Sequence, residues 1–135
     1  MKEVFVDTGG FYAALNRKDQ HHREATILFN RAVEEAWRLL TSNFVVAETH
    51  ALILTRPGRD LAAAWLRNVP AAVIRISEQD ERKARRIIFG YRDKAFSYCD
   101  ATSFAVMDRL RIRQVMAFDP HFAQYGKFVL VRAQA

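Results

Sequence analysis

Short apolar runs alternate with amphipathic segments along the whole chain. The first run covers residues 4–6 without interruption, which is typical of a central parallel strand that is buried on both faces. Further apolar runs predict strands at residues 39–41, 72–76, 114–118 and 128–131. Strands that alternate with helices predict an α/β fold with a largely parallel sheet of four or five strands and right-handed crossovers.

The segments between these strands carry the spacing and the end signals of helices. In residues 21–36, apolar side chains recur every three or four positions and predict one buried stripe, formed by Ala25, Leu28, Phe29, Ala32 and Val33. Gly9 and Gly10 are predicted to break the first strand and to turn the chain sharply into a short helix. Ser77 and Asp80 have the spacing of a capping box, which predicts the start of a later helix.

The composition is that of a folded, basic protein. Half of the 135 residues are apolar, so we expect one domain, residues 1–135, with a substantial core. The 21 lysines and arginines outnumber the 15 aspartates and glutamates, and the net charge of +6 favours polyanionic partners. There is one cysteine, Cys99, and no apolar segment of about 18 residues, so we expect a protein of the reducing cytoplasm without a membrane span.

Four acidic residues occupy positions at which parallel α/β folds place ligand sites. Asp7 and Asp119 each end an apolar run, Asp100 lies at the start of a predicted helix, and Glu48 lies one to two turns into another. Because strand ends and helix entrances share the carboxyl edge of a parallel sheet, we expect these side chains to lie together. Each acid alone has a simpler explanation, such as helix capping for Asp100 or a solvated helix position for Glu48.

A cluster of carboxylates has a specific chemical use. Crowded carboxylates repel one another, and a divalent cation removes that repulsion. Oxygen ligands without a cluster of cysteine or histidine favour Mg²⁺ or Mn²⁺ over zinc. Such an ion binds a phosphoryl oxygen and lowers the pKa of water, and a pair of ions about 3.5–4 Å apart serves in-line phosphodiester cleavage. Together with the positive net charge, the acids predict a metal-dependent nuclease.

Four basic or titratable side chains are candidates for substrate contacts. Arg82, Arg85 and Arg86 belong to the densest basic cluster and are candidates for phosphate binding, although they equally fit the solvated face of an amphipathic helix. His121 lies two residues after Asp119. It is a further candidate for a phosphate contact, with a surface turn as the alternative interpretation.

Four short motifs carry a family resemblance. They are Val-Phe-Val-Asp-Thr at 4–8, Thr-Ser-Asn through Ala-Glu at 41–48, Tyr-Cys-Asp-Ala at 98–101, and Ala-Phe-Asp-Pro-His-Phe at 117–122. In this order and at this spacing they resemble the PIN-domain family, and more narrowly the VapC-type toxin ribonucleases of toxin–antitoxin pairs. The resemblance covers essentially the whole chain.

The resemblance implies a fold, a site and partners. It implies a three-layer α/β/α fold, in which Asp7, Glu48, Asp100 and Asp119 hold one or two Mg²⁺ or Mn²⁺ ions and cleave single-stranded RNA. Thr8 would help to position a ligand water or a phosphate. By the same resemblance, the protein is expected to form a homodimer and to be silenced by a small antitoxin whose tail fills the active groove.

Two positions depart from the family pattern, and rival functions remain. Gly9 stands where a Ser or Asn is common and Ala117 where a Thr or Ser is common, so polar groups that orient metal ligands are lost. The main alternative is a PIN-like domain that binds RNA or a protein without cleavage, although the presence of all four acids argues against it. A phosphatase with an aspartate nucleophile is disfavoured because Gly9 replaces its second acid. No glycine-rich or Walker-type loop indicates nucleotide binding.

Overall fold

The computed structural model describes residues 1–134 and places five strands in one sheet. The strands are β1 (Glu3–Val6), β2 (Arg38–Ser42), β3 (Ala72–Ile74), β4 (Gln114–Met116) and β5 (Val129–Leu130). Their order is β3-β2-β1-β4-β5, and every neighbouring pair is parallel. The predicted α/β fold with a mostly parallel sheet of four or five strands is confirmed.

Helices cover both faces of the sheet. They are α1 (Thr8–Leu15), α2 (His22–Glu34), α3 (Asn43–Thr55), α4 (Arg59–Arg67), α5 (Glu78–Gly90), α6 (Tyr98–Leu110) and α7 (His121–Tyr125). Because parallel crossovers are right-handed, α1 to α4 lie on one face and α5 to α7 lie on the other. Phe11 of α1 packs against Phe29 and Trp65 on the first face, and Phe104 of α6 packs against Phe122 on the second. The three-layer arrangement is confirmed.

Strand β1 lies at the centre of the sheet. Its residues Val4, Phe5 and Val6 are fully buried because β2 and β4 flank the strand and helices cover both faces. The next residue, Asp7, donates its backbone N–H to the carbonyl oxygen of Met116 at 3.1 Å. The central strand therefore delivers an acidic side chain to the middle of the carboxyl edge. None of the helices in residues 1–134 is both long and apolar enough to span a bilayer.

The glycine pair forms part of a helix, so the prediction that these two residues make the turn after β1 is wrong. Helix α1 begins at Thr8, and Gly9 and Gly10 lie in its first turn. A Cβ atom on Gly10 would lie 3.0 Å from the carbonyl oxygen of Met116 and 3.1 Å from Cγ1 of Val6. Gly10 therefore allows α1 to approach the sheet closely, which is a packing requirement rather than a turn requirement.

Gly10→Ala is expected to destabilise the protein by about 1–3 kcal/mol, the usual cost of an extra methyl group in a packed site. The reason is that the contact partner is a backbone oxygen of β4, which cannot move aside as a flexible side chain can. Gly9→Ala is the matched control, because the nearest atom to its Cβ would be the backbone nitrogen of Phe118 at 3.9 Å. Urea unfolding should show the first variant less stable and the second equal to or more stable than wild type. Equal losses in both variants would contradict the close-approach explanation.

Strand ends and one buried position also differ from prediction. Residues 75–76, 117–118, 128 and 131 lie outside the strands. Strand β4 ends at Met116 because its partner on β1 is Val6, the last residue of that strand. Asp119 therefore lies in a loop beyond β4 rather than at the strand end. The prediction that Val33 is buried is wrong, since it is 82% exposed while Ala32 beside it faces the core.

The capping box at the start of α5 is confirmed, and its acid has a second partner. Ser77 donates its backbone N–H to Asp80 Oδ2 at 3.0 Å, and Asp80 donates its own to Ser77 Oγ at 3.1 Å. Arg109 then binds both carboxylate oxygens of Asp80 at 2.9 Å each. Burial opposes ionisation of Asp80, but the hydrogen bonds from Arg109 and Ser77 outweigh it and lower the pKa. Asp80 is a structural acid that fixes α5 against α6.

Asp80→Asn is expected to cost about 1–3 kcal/mol at pH 7, through loss of hydrogen bonds to a charged group. Because the pKa of Asp80 is lowered in the folded protein, its contribution is present above the unfolded pKa of about 4 and is lost as the pH falls through the folded pKa. Urea unfolding of both proteins from pH 7 to pH 3 should show that the difference in their free energies of unfolding becomes smaller below about pH 4. A difference that stays constant over this range would contradict the ion-pair explanation.

Candidate metal centre

The four predicted acids come from different elements that meet at the carboxyl edge of the sheet. Asp7 follows β1, Glu48 lies in the second turn of α3, Asp100 lies in the first turn of α6, and Asp119 lies in the loop after β4. Asp7 experiences the negative charges of Asp119, Asp100 and, more weakly, Glu48. The structure therefore brings these four side chains into one electrostatic group, as the sequence predicted.

Asp7 is the most deeply buried of the four acids. Its exposed fraction is 3%. Burial raises the pKa of Asp7 well above its usual range, and the charges of Asp119 and Asp100 raise it further. A hydrogen bond from the Thr8 backbone N–H offsets only part of this effect. Without a compensating cation, an ionised Asp7 therefore destabilises the folded protein.

Asp100 shares its local motif with the structural acid Asp80 but has different neighbours. Ser97 and Asp100 form a capping box in which each backbone N–H donates to the other side chain at 3.0 Å. The carboxylate of Asp100 is not held by an arginine, however. Burial raises the pKa of Asp100, Ser97 lowers it, Asp119 raises it and His121 lowers it, and the net direction is upward. The capping box thus fixes the orientation of Asp100 while its charge faces other acids.

The tightest group of metal-binding atoms in residues 1–134 includes a histidine. One oxygen each of Asp100 and Asp119 and a ring nitrogen of His121 lie within 4.8 Å of one another. His121 Nδ1 is 2.7 Å from Asp100 Oδ2 and 3.6 Å from Asp119 Oδ1. The structure therefore places His121 inside the acidic group, and not on an isolated surface turn.

Cys99 of α6 lies close enough to Glu48 of α3 for their side chains to interact. Glu48 is exposed, whereas Cys99 is partly buried. Burial raises the pKa of Cys99, and the charges of Glu48 and Asp7 raise it further, so the thiol stays protonated. Thr8, the predicted supporting residue, is buried and accepts a hydrogen bond from Thr49 Oγ1 at 3.3 Å.

The loop that carries Asp119 is held by contacts that the sequence did not reveal. Arg132 donates from Nη1 to the carbonyl oxygen of Ala117 at 3.0 Å, so a backbone contact fixes the position where the family commonly has a Thr or Ser. His21 stacks on Phe118 with ring centroids 4.6 Å apart. Neither Arg132 nor His21 is near this loop in sequence, and no local pattern identifies them.

The arginines predicted to contact substrate lie on the exposed face of α5. Arg82 and Arg86 line a depression of about 410 Å³ between α5 and α6 that none of the four acids lines. Arg85 is exposed as well, and its charge acts on the hydroxyl group of Tyr98, two residues before Asp100. None of the three arginines forms an ion pair with an acid of the site within residues 1–134, and a substrate role for the group stays a prediction.

The donor set fits a divalent cation. Within residues 1–134, no lysine or arginine forms an ion pair with Asp7, Glu48, Asp100 or Asp119, and His121 is the only partner of that kind. Carboxylate oxygens suit Mg²⁺ and Mn²⁺, and a ring nitrogen adds a ligand that transition metals accept. A cation would also relieve the repulsion that raises the pKa of Asp7.

Comparisons with known proteins identify the family to which the chain is similar. The family model described as PIN domain matches residues 4–128. The 23S rRNA-specific endonuclease VapC20 of Mycobacterium tuberculosis is 35% identical over 135 residues, which cover 97% of this chain and 99% of that protein. A VapC ribonuclease of Archaeoglobus fulgidus is 30% identical over 125 residues, which cover 89% of this chain and 79% of that protein.

Solved structures show the same fold. The crystal structure of Mycobacterium tuberculosis VapC20, described as a Sarcin-Ricin loop cleaving toxin, superposes with a TM-score of 0.85 at 33% identity and covers 96% of this chain and 98% of its own. The crystal structure of VapBC2 from Rickettsia felis, bound to a DNA fragment from the VapBC2 promoter, gives a TM-score of 0.71 at 11% identity. The match covers 96% of this chain and 97% of the Rickettsia chain. At that identity the second match supports the fold alone.

Proposed function

The chain belongs to the PIN-domain family and, within it, to the VapC-type proteins, and we propose that it is a metal-dependent endoribonuclease that hydrolyses phosphodiester bonds in single-stranded RNA. One observation carries the proposal: four acids from separate parts of the chain act on one another at one sheet edge, and within residues 1–134 only His121 forms an ion pair with any of them. The activities of the curated relatives, an endonuclease and a ribonuclease, are the ones that such a site serves.

We assign the catalytic and metal-holding roles to Asp7, Glu48, Asp100 and Asp119. A divalent cation bound there, Mg²⁺ or Mn²⁺, would polarise a phosphodiester oxygen and lower the pKa of a water molecule. The chain supplies orientation, because Asp100 is fixed by its capping box and Asp7 by backbone hydrogen bonds to β4 and α1. Glu48 is the exposed acid of the four, so its carboxylate can accept a proton from an attacking water. Thr8 would assist in positioning that water or a phosphate.

The proposed substrate and partners follow from the family and the charge. Arg82, Arg85 and Arg86 would attract the RNA backbone, as would the net charge of +6. Ribosomal RNA is the first substrate to test, because a relative is 23S rRNA-specific. We further propose that residues 1–135 form one domain, that the protein acts in the cytoplasm as a homodimer, and that a small antitoxin silences it.

Cleavage of total bacterial RNA tests the proposed activity. Wild type with Mg²⁺ or Mn²⁺ is expected to produce defined fragment ends, and a chelator should prevent them. Asp100→Asn should lower the cleavage rate at least about 100-fold, since general acid–base groups alone typically contribute 10²–10⁴-fold to the rate. Asp93→Asn is the matched control, because Asp93 is an exposed acid outside the site and should leave cleavage unchanged.

Two outcomes would contradict the proposal. Cleavage that persists in both chelator and Asp100→Asn would indicate a contaminant or a mechanism without the acids. RNA binding without any cleavage in either metal would support the non-catalytic binding domain instead. Light scattering of the purified protein tests the homodimer, and copurification with the product of a neighbouring small reading frame tests the antitoxin.

A further inference from the structure

His121 is held rigidly at the acidic group. Its backbone N–H donates to Asp119 Oδ1 at 2.9 Å, which ties the two residues into one tight turn. Its ring packs edge-on against Phe96, with centroids 5.9 Å apart and an interplanar angle of 82°. These contacts direct Nδ1 toward Asp100 and Asp119, at 2.7 Å and 3.6 Å from their nearest oxygens.

The arrangement around Nδ1 differs from an ordinary hydrogen bond. The atom is shielded from solvent, yet it makes no hydrogen bond of normal geometry, even though an Asp100 oxygen is only 2.7 Å away. That oxygen therefore does not lie along the direction in which the ring nitrogen would donate. The lone pair of His121 Nδ1 therefore points past the Asp100 oxygen and not at it. Ligands of one metal ion are arranged in this way, because each points at the ion and not at its neighbour.

The distances support the same interpretation. Metal–ligand bonds of about 2.1 Å at right angles place two neighbouring ligands of an octahedral ion about 3 Å apart. The two separations at His121 Nδ1, 2.7 Å and 3.6 Å, lie on either side of this value. We propose that His121, through Nδ1, is a direct metal ligand beside Asp100 and Asp119 and that it makes the site prefer Mn²⁺ to Mg²⁺. This inference rests on the proposed metal-dependent function.

The preference follows from the chemistry of the donor. Mg²⁺ selects oxygen ligands and retains its waters, whereas imidazole is a good ligand for transition metals. A site built of carboxylates alone discriminates weakly between the two ions. A nitrogen ligand adds affinity for Mn²⁺ that Mg²⁺ does not share. If the ring served only as a positive charge among the acids, its removal would change the affinity for both ions in the same direction and by similar factors.

Binding of Mn²⁺, followed by electron paramagnetic resonance, tests the assignment without any need for activity. Spin-echo modulation from a bound ¹⁴N nucleus is expected in wild type and should vanish in His121→Gln. The Mn²⁺ affinity of His121→Gln should fall at least about tenfold, since even outer-shell partners of a metal contribute 10- to 100-fold. Its Mg²⁺ affinity, measured by competition with Mn²⁺, should stay close to that of wild type.

His22→Gln is the matched control. The Nδ1 atom of His22 lies 2.8 Å from the carbonyl oxygen of Ala13, and His22 does not belong to the group of Asp100, Asp119 and His121, so this variant should keep the nitrogen signal. Circular dichroism confirms that both variants are folded. Absence of the nitrogen signal in wild type, its persistence in His121→Gln, or equal loss of affinity for both ions would overturn the assignment.

Failure of this inference can be told apart from failure of the proposed function. Suppose that Mn²⁺ binds wild type without nitrogen coupling and that Asp100→Asn no longer binds it. In that case only the role of His121 is wrong. If wild type binds neither ion, or if Asp100→Asn binds as wild type does, the metal centre itself is wrong and both proposals fall.

Discussion

Asp7→Asn should abolish RNA cleavage while it stabilises the metal-free protein. Cleavage should fall at least about 100-fold, because the variant loses a charged ligand where even outer-shell groups contribute 10- to 100-fold to metal affinity. Stability should rise because burial and the charges of Asp119 and Asp100 raise the pKa of Asp7, so its ionised form at pH 7 disfavours the fold. A gain of about 1 kcal/mol would move the melting temperature of a domain of this size by about 4 °C.

Added metal should reverse the order of stability. Wild type gains about 2.7 kcal/mol when the free ion is 100 times its dissociation constant, and Asp7→Asn should gain little. In thermal unfolding at pH 7, Asp7→Asn should therefore have the higher melting temperature in chelator, and wild type should have the higher melting temperature in Mn²⁺. Asp80→Asn is the matched control, because it replaces an acid of the same type that is bound by Arg109. It should be less stable than wild type in both conditions and should keep the metal-dependent shift and the cleavage. A metal-free Asp7→Asn that is less stable than wild type would contradict the repulsion argument.

The contrast between Asp80 and Asp100 shows what the sequence could and could not predict. Both acids lie three residues after a serine, and both complete a capping box at a helix start. The local pattern therefore predicts two helix starts correctly but cannot separate a structural acid from a candidate ligand. The distinction comes from long-range neighbours, which are Arg109 for one acid and Asp119 with His121 for the other.

The same limit explains the other differences. Hydrophobic runs predicted the strands and the central position of β1, since burial on both faces leaves a clear signal in sequence. The local sequence predicts a turn at Gly10 because the actual constraint on this residue, its close approach to Met116, involves a residue more than a hundred positions away. The position of His121 beside Asp100 depends on how α6 and α7 pack, and this packing has no signature in the six residues around it.

Phe104 connects that packing to the site, and Phe104→Ala should be the most destabilising of these substitutions. The side chain is fully buried and stacks on Tyr125 at 4.4 Å, with edge contacts to Phe96 at 5.1 Å and Phe122 at 4.9 Å. Removal of a buried phenylalanine typically costs about 3–5 kcal/mol, a large share of the 5–15 kcal/mol that stabilises a domain. The melting temperature should fall by more than about 10 °C.

Phe104→Ala should also weaken the metal site, because the aromatic cluster supports both Asp100 on α6 and His121 on α7. Phe104 lies one turn after Asp100 on α6, Phe122 follows His121 on α7, and Phe96 contacts the ring of His121. A looser cluster leaves these side chains less well positioned, so Mn²⁺ affinity should fall even at temperatures where the variant is folded. Phe89→Ala is the matched control, since Phe89 is 72% exposed and its removal should change stability by no more than about 0.5 kcal/mol. If Phe104→Ala keeps the metal affinity of wild type despite its lower stability, the aromatic cluster supports the fold alone, and the backbone of α6 with its capping box is sufficient to position Asp100.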